Sequence, residues 1–328
     1  MKRAWVTGAS GFTGTYLCNA LIEKGYTVQA LVRNTSNTDH LKKLNVELIE
    51  GDLAAPLSLM GKMQNIDLVF HIAALYRQEG VARDMFHRVN VEGTRALLQE
   101  SVNAGIKRFI HCSTVGVQGE IAQPPATESA PYNPGDHYQE SKTEGEKLAL
   151  DYARKGKLNV VVVRPVGIYG PGDTRFLKLF KYIYQNKFRM IGKGDVLYHL
   201  TFVEDLVRGI ILAGEKKAGS GQIFTLGGDE YVSLNRLVEI IAKILNKPAP
   251  KRHIPLWPVQ LAAIFCETFC RPLGIEPPIY RRRLDFFTKD RAFDISKARR
   301  ELGYQPRITL EDGLKRTAEW YLKNGMLD

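Results

Sequence analysis

The chain has 328 residues, 44% hydrophobic and 25% charged, close to the roughly 45–50% apolar and about 25% charged of ordinary globular proteins, which excludes a disordered chain. Lys plus Arg number 46 against 35 Asp plus Glu, a formal net charge of +11. That field favours anionic ligands, nucleic acid or an acidic membrane surface without specifying an activity.

In chain order, short apolar runs at Ala4–Thr7, Val28–Val32, Val46–Ile49, Leu68–Ile72, Phe109–Cys112 and Val160–Arg164 alternate with amphipathic segments. Runs this short and rich in Val, Ile and Leu suit strands buried on both faces, and the stretches between them suit crossover helices. The expected fold is α/β, a doubly wound parallel sheet of the Rossmann type over residues 1–171. Beyond Pro171 the spacing predicts helices near 175–186, 204–214, 233–246, 258–270 and 310–323, with short strands near 189–191, 199–202 and 222–225. Residues 172–328 are expected to form mainly a substrate-binding lobe. A segment near 199–214 should return to the Rossmann sheet, with His199–Val203 as its strand.

The first run leads into Gly8-Ala-Ser-Gly11-Phe12-Thr13-Gly14, which opens a helix. Glycines so placed let the chain turn tightly and bring backbone N–H groups and a helix N-terminus to a pyrophosphate. The spacing is G-x-x-G-x-x-G rather than G-x-G-x-x-G, and the strand before it and helix after it carry the assignment. No acidic residue closes the second run, which ends Val32-Arg33-Asn34. Arg33 suits a ribose 2′-phosphate, where an Asp would repel it. The cofactor expected is NADP(H), with NAD(H) as the alternative.

Tyr138 and Lys142 stand at i and i+4 on one face of a polar helix. A nearby ammonium favours the phenolate of a tyrosine whose own pKa is near 10, making it a usable acid/base. Ser113 and Thr114 close the Phe109–Cys112 run, where hydroxyls meet the ligand crevice of such a sheet. One of them can donate to the substrate oxygen.

These motifs, with Gly51-Asp52-Leu53, His71-Ile-Ala-Ala74, Asn90-Val-Glu-Gly-Thr94, Arg164-Pro-Val-Gly-Ile-Tyr-Gly-Pro171, Phe202-Val-Glu-Asp205 and Phe293-Asp-Ile-Ser-Lys-Ala298, resemble the extended short-chain dehydrogenase/reductase family over nearly the whole chain. That family includes nucleotide-sugar epimerases, dihydroflavonol-type reductases and 3β-hydroxysteroid dehydrogenases. The resemblance implies that Asp52 and Leu53 contact the adenine and that Ala73 and Ala74 line the ribose and phosphates. Lys142 would hold the nicotinamide ribose, Pro165 would lie against the nicotinamide, and Thr114, with Ser113 beside it, would polarise the substrate. It also implies hydride transfer coupled to proton transfer through Tyr138, and a homodimer through the helix carrying the Tyr-Lys pair.

Val115-Gly116 after Thr114 replaces the Asp-Glu pair of the family's dehydratases. Gly167 and Tyr198 stand where its epimerases carry an Asn and an Arg that serve the nucleotide diphosphate. The apolar stretch Ile254–Ile275 is more like the hydrophobic helix of steroid dehydrogenase-like members and suits an apolar substrate, a core or dimer helix, or a surface contact with a membrane. Cys266 and Cys270, one turn apart, are expected in the core or the pocket, and Arg281–Arg283 either hold a phosphate or form a solvated turn.

The activity expected is oxidoreduction between a secondary alcohol and a ketone on a sterol-like or other apolar alicyclic small molecule. The alternative is a nucleotide-sugar epimerase working through a 4-keto intermediate. Four cysteines with no C-x-x-C pair point to a reducing, cytoplasmic setting with no metal site. No apolar run reaches the roughly 18 residues of a membrane span, no secretory leader is expected, and no nucleic-acid motif appears.

Overall fold

A computed structural model describes residues 2–76, 80–250, 252–270 and 281–328 of the chain, without the Arg282 side chain. The strands are β1 (Arg3–Thr7), β2 (Thr27–Val32), β3 (Glu47–Glu50), β4 (Leu68–His71), β5 (Arg108–Cys112), β6 (Val160–Pro165), β7 (Gly167–Tyr169), β8 (Met190–Ile191), β9 (Leu197–Phe202), β10 (Gln222–Leu226), β11 (Tyr231–Ser233) and β12 (His253–Ile254). The first six helices are α1 (Phe12–Glu23), α2 (Asp39–Lys43), α3 (Arg83–His87), α4 (Gly93–Asn103), α5 (His137–Arg154) and α6 (Leu177–Tyr184). They are followed by α7 (Val203–Glu215), α8 (Leu234–Ile244), α9 (Leu256–Cys270), α10 (Arg281–Thr288), α11 (Ser296–Leu302) and α12 (Leu310–Lys323).

Seven strands form one sheet in the order β10-β6-β5-β4-β1-β2-β3, every pairing parallel. Side chains along a strand point alternately to its two faces, so each strand feeds two cores. Val6, Phe70, Ile110 and Val161 pack with Leu17 and Leu21 of α1 and Leu206 and Ile210 of α7. Trp5, Val69, Phe109 and Val162 pack on the other side with Leu97 of α4 and Ala149 of α5. The chain winds one way from β1 to β2 and the other way from β1 to β4, which opens a crevice at the C-terminal ends of the strands.

The strand expected to return to this sheet does not do so. Residues 197–202 form β9, which pairs with β7 and β11 in a separate three-stranded sheet. The seventh strand of the main sheet is β10, joined to β6. Periodicity shows that a stretch is extended but not which edge will receive it. The lobe has its own core, in which Phe180, Ile183, Tyr198, Leu237, Ile241 and Leu314 are buried together.

The segment around Arg291 ties lobe to sheet domain. His199 donates its N–H to the Arg291 carbonyl (2.8 Å) and Arg291 donates to the Leu197 carbonyl (2.7 Å), while Ala126 donates to the Ala292 carbonyl (3.0 Å). Among the described residues no helix is long and apolar enough to cross a membrane. Arg271–Tyr280, which include the end of the apolar stretch and Pro277-Pro278, lie outside the described residues.

Candidate active site

A cleft of about 1400 Å³ runs along the C-terminal ends of the strands, and every site residue singled out in the sequence lines it. The phosphate loop follows β1, Arg33 follows β2, Asp52 and Leu53 follow β3, Ala73 and Ala74 follow β4, Ser113 and Thr114 follow β5, and Pro165 ends β6. The volume exceeds the roughly 300–1000 Å³ of a site for one drug-sized ligand, leaving room for a dinucleotide and a second molecule.

The loop is built for close approach. Gly8 has φ +74°, and a Cβ there would lie 2.8 Å from the Ala73 nitrogen. A Cβ on Gly14 would lie 2.0 Å from the Gly8 carbonyl oxygen. Helix α1 begins at Phe12 with no side-chain cap and no acid in its first turn. Its first N–H groups and positive dipole end therefore remain open to an anion. Together these observations fit the pyrophosphate of a dinucleotide. Just after β2, Arg33 is exposed and donates its backbone N–H to Ser36 Oγ (3.2 Å). Asp52 is turned to its own loop, its Oδ1 accepting from the Ala54 N–H (2.9 Å).

In the same cleft Tyr138 is 9% exposed and Lys142 3% exposed. Asp136 caps their helix by accepting from the Gln139 N–H (2.9 Å). The Lys142 Nζ donates to the Cys112 carbonyl (2.7 Å), which pins the ammonium at the end of β5. Burial pushes the Lys142 pKa down, while Cys112 and then Glu146 oppose that shift. Ser113 Oγ is buried with no hydrogen-bond partner among the described residues. Thr114 Oγ1 accepts from the Gly116 N–H (3.1 Å), leaving its own proton to donate. An unpaired buried hydroxyl costs about 1–3 kcal/mol, which a ligand oxygen in this cleft would recover.

Behind these groups runs a directed hydrogen-bond chain. Ala73 N–H donates to Thr7 Oγ1 (3.1 Å), and Thr94 Oγ1 donates to the Asn90 carbonyl (2.7 Å). His71 lies between the two hydroxyls, with Nδ1 2.8 Å from Thr7 Oγ1 and Nε2 2.9 Å from Thr94 Oγ1. The Thr94 proton is already committed, so Nε2 must be the donor and Nδ1 accepts from Thr7. That tautomer is neutral. Burial, with the Lys142 charge second, pulls the His71 pKa from 6.5 down to about 3.

Two further residues bear on the cleft, Asn90 through its bonds to Leu75, which lines it, and Arg291 directly. Asn90 sits in a π-helical turn, Arg88–Glu92, between α3 and α4. Its side chain accepts from the Leu75 N–H (2.7 Å) and donates to the Leu75 carbonyl (3.1 Å) and Ser141 Oγ (2.9 Å). It thus clamps the Ala73–Leu75 turn to α5, and the Asn90-Val-Glu-Gly-Thr94 motif was the available signal. Arg291 lines the cleft, and its side-chain hydrogen bonds among the described residues go to neutral oxygens: Tyr198 Oη, Lys289 O and Asp285 O.

Part of the cleft is walled by Phe176, Leu179, Phe188, Leu200, Phe286 and Phe287. None of the described residues of the apolar stretch from Ile254 lines this cleft. The apolar wall comes from α6, β9 and α10 instead. Cys266 and Cys270 are half-buried and lie in neither the described core clusters nor the cleft. Of the Arg281–Arg283 run, Arg281 pairs with Glu267 and Arg283 lines the cleft.

The chain belongs to the NAD dependent epimerase/dehydratase family, whose model matches residues 4–227. It is therefore an enzyme of the extended short-chain dehydrogenase/reductase type. It is 32% identical over 318 residues, covering 95% of this chain and 94% of the other, to a 4-hydroxy-2-methyl-3-oxo-4-farnesyl-3,4-dihydroquinoline-1-oxide ketoreductase of Stigmatella aurantiaca. It is 30% identical to a mouse (Mus musculus) sterol-4-alpha-carboxylate 3-dehydrogenase, decarboxylating, covering 97% of this chain and 90% of that one. Among solved structures, the UDP-glucuronic acid 4-epimerase from Bacillus cereus in complex with NAD superposes with a TM-score of 0.77 at 26% identity, covering 98% and 99% of the two chains.

Proposed function

We propose that this enzyme interconverts a secondary alcohol and a ketone on an apolar, alicyclic substrate, with NADP(H) as its preferred cofactor. The observation that carries the reading is the cleft itself, in which the phosphate loop, Tyr138, Lys142 and an aromatic wall line one space. The names of the quinoline-oxide ketoreductase and the sterol dehydrogenase agree with it.

A bound nicotinamide supplies or accepts the hydride at its C4. Gly8, Gly11, Phe12, Thr13 and Gly14 would hold its pyrophosphate, Asp52 and Leu53 the adenine, and Ala73, Ala74 and Pro165 the ribose, phosphates and nicotinamide. Arg33 would pair with the 2′-phosphate. In the reducing direction Thr114, with Ser113 beside it, donates to the carbonyl oxygen and polarises it. Tyr138 then gives its phenolic proton to that oxygen, and the Lys142 ammonium stabilises the phenolate left behind. Arg291 offers a cation to a carboxylate or phosphate elsewhere on the substrate.

The same reading takes the enzyme as a cytoplasmic homodimer through α5, and a monomer in sedimentation velocity would remove that part. Denaturing the purified enzyme and identifying any dinucleotide and small molecule released by mass spectrometry tests the whole. The reading expects NADP(H) with no sugar nucleotide. Release of NAD together with a UDP-sugar would replace it with the epimerase reading.

A further inference from the structure

We infer that helix α9 docks this enzyme on an anionic lipid surface. The helix is built inside out. Trp257, Leu261, Phe265 and Phe269, four residues apart, lie on one face and are 67%, 58%, 62% and 57% exposed, with Ile264 beside them at 45%. Its two buried residues are Ala263 and the acid Glu267. A helix packed on a soluble core buries its apolar stripe and turns its charge to water. Here Glu267 faces inward, accepting from the Arg281 backbone N–H (2.8 Å) and Nε (3.0 Å). The outward face therefore carries no negative charge, and it joins two phenyl rings, an indole and aliphatic side chains in the manner of interfacial helices.

The surroundings supply the matching charge. From Lys247 to Arg271 the sequence itself has four basic residues (Lys247, Lys251, Arg252 and Arg271) and one acidic one, Glu267. That acid is already paired with Arg281. Arg252 and Arg281 are exposed. A second copy of the chain on this face would meet the same positive flank about a two-fold axis, and like charges would oppose it. An anionic bilayer answers both halves of the surface, apolar and basic. The docking element also adjoins the catalytic cleft, since α10 holds Glu267 through Arg281 and contributes Phe286 and Phe287 to the cleft wall.

The test is co-sedimentation of the full chain with phosphatidylcholine vesicles, with and without phosphatidylglycerol, together with tryptophan emission. It needs no substrate and so stands apart from the proposed activity. Binding to the phosphatidylglycerol vesicles, a blue shift carried by Trp257, and loss of binding at high salt are expected. Arg252→Glu, which reverses a charge next to the helix, should weaken binding on the order of tenfold or more. Leu261→Ser with Phe265→Ser should lower it by at least as much while leaving the thermal midpoint unchanged, because both side chains are exposed. No binding by the unmodified chain, equal binding to neutral and anionic vesicles, or binding unaffected by these substitutions would overturn the proposal. So would a dimer that Leu261→Ser with Phe265→Ser dissociates while the unmodified chain ignores vesicles.

Discussion

If Tyr138 is the proton donor, it depends on Lys142, which is buried one turn away with its ammonium held on the Cys112 carbonyl. Lys142→Met should lower kcat on the order of 10²-fold or more, the usual weight of assisted proton transfer, and move the pH optimum upward. An unchanged pH profile would separate Lys142 from the proton. His71 makes a second, independent pH prediction. Its folded pKa of about 3 lies below the ordinary 6.5, so between those values the unfolded chain binds a proton that the folded chain refuses. Stability is full above about pH 6.5 and falls as pH drops toward 3, by up to about 1.4 kcal/mol per pH unit from this group. His111, also buried and also shifted down, steepens the fall. Urea unfolding across that window should show it, and His71→Gln should flatten the slope. Tyr138 and Lys142 were legible because their relation is local, four residues on one helix. Asn90 and Arg291 were not, because their partners Leu75, Ser141 and Tyr198 lie 15, 51 and 93 residues away.

At the scale of elements, α5 is locked to β6 by a buried ion pair. Arg164 meets Glu146 through Nη2 (2.5 Å) and Nε (3.1 Å), both side chains at most 1% exposed, and Tyr132 donates to the same carboxylate (2.7 Å). Removing one partner strands the other charge, so Glu146→Leu should cost about 3–5 kcal/mol in chemical denaturation. A loss near zero would mean that the pair does not hold the catalytic helix in place. Gly145 allows α5 to approach the π-turn, since a Cβ there would lie 2.7 Å from the Asn90 carbonyl oxygen. The strands of the main sheet were legible from runs such as Val160–Val163, buried on both faces. The destination of β9 was not, because an extended stretch ending at Phe202 satisfies a three-stranded sheet as well as a seven-stranded one. The alternatives for α9 stayed open in the sequence because composition alone does not reveal which face of an apolar helix is turned outward, and here the inward residue is Glu267.

Across the whole molecule, the +11 charge divides among distinct places. Lys142, Arg33 and Arg291 line the cleft, and in the sequence four basic residues stand against one acid between Lys247 and Arg271. If Arg33 reads a 2′-phosphate, Arg33→Ala should lower kcat/KM for NADPH on the order of tenfold to a hundredfold and leave NADH nearly unchanged. Equal loss with both cofactors would assign Arg33 to general attraction. The proposed activity is a net redox reaction whose proton passes through Tyr138. It is tested most directly by following reduced nicotinamide with alicyclic ketones, in the unmodified enzyme and in Tyr138→Phe. Stoichiometric consumption by the first, a loss of about 10²-fold or more in the second, and equal cofactor binding in both are expected. Undiminished turnover by Tyr138→Phe, or conversion of a nucleotide sugar with no net change in the nicotinamide, would contradict it.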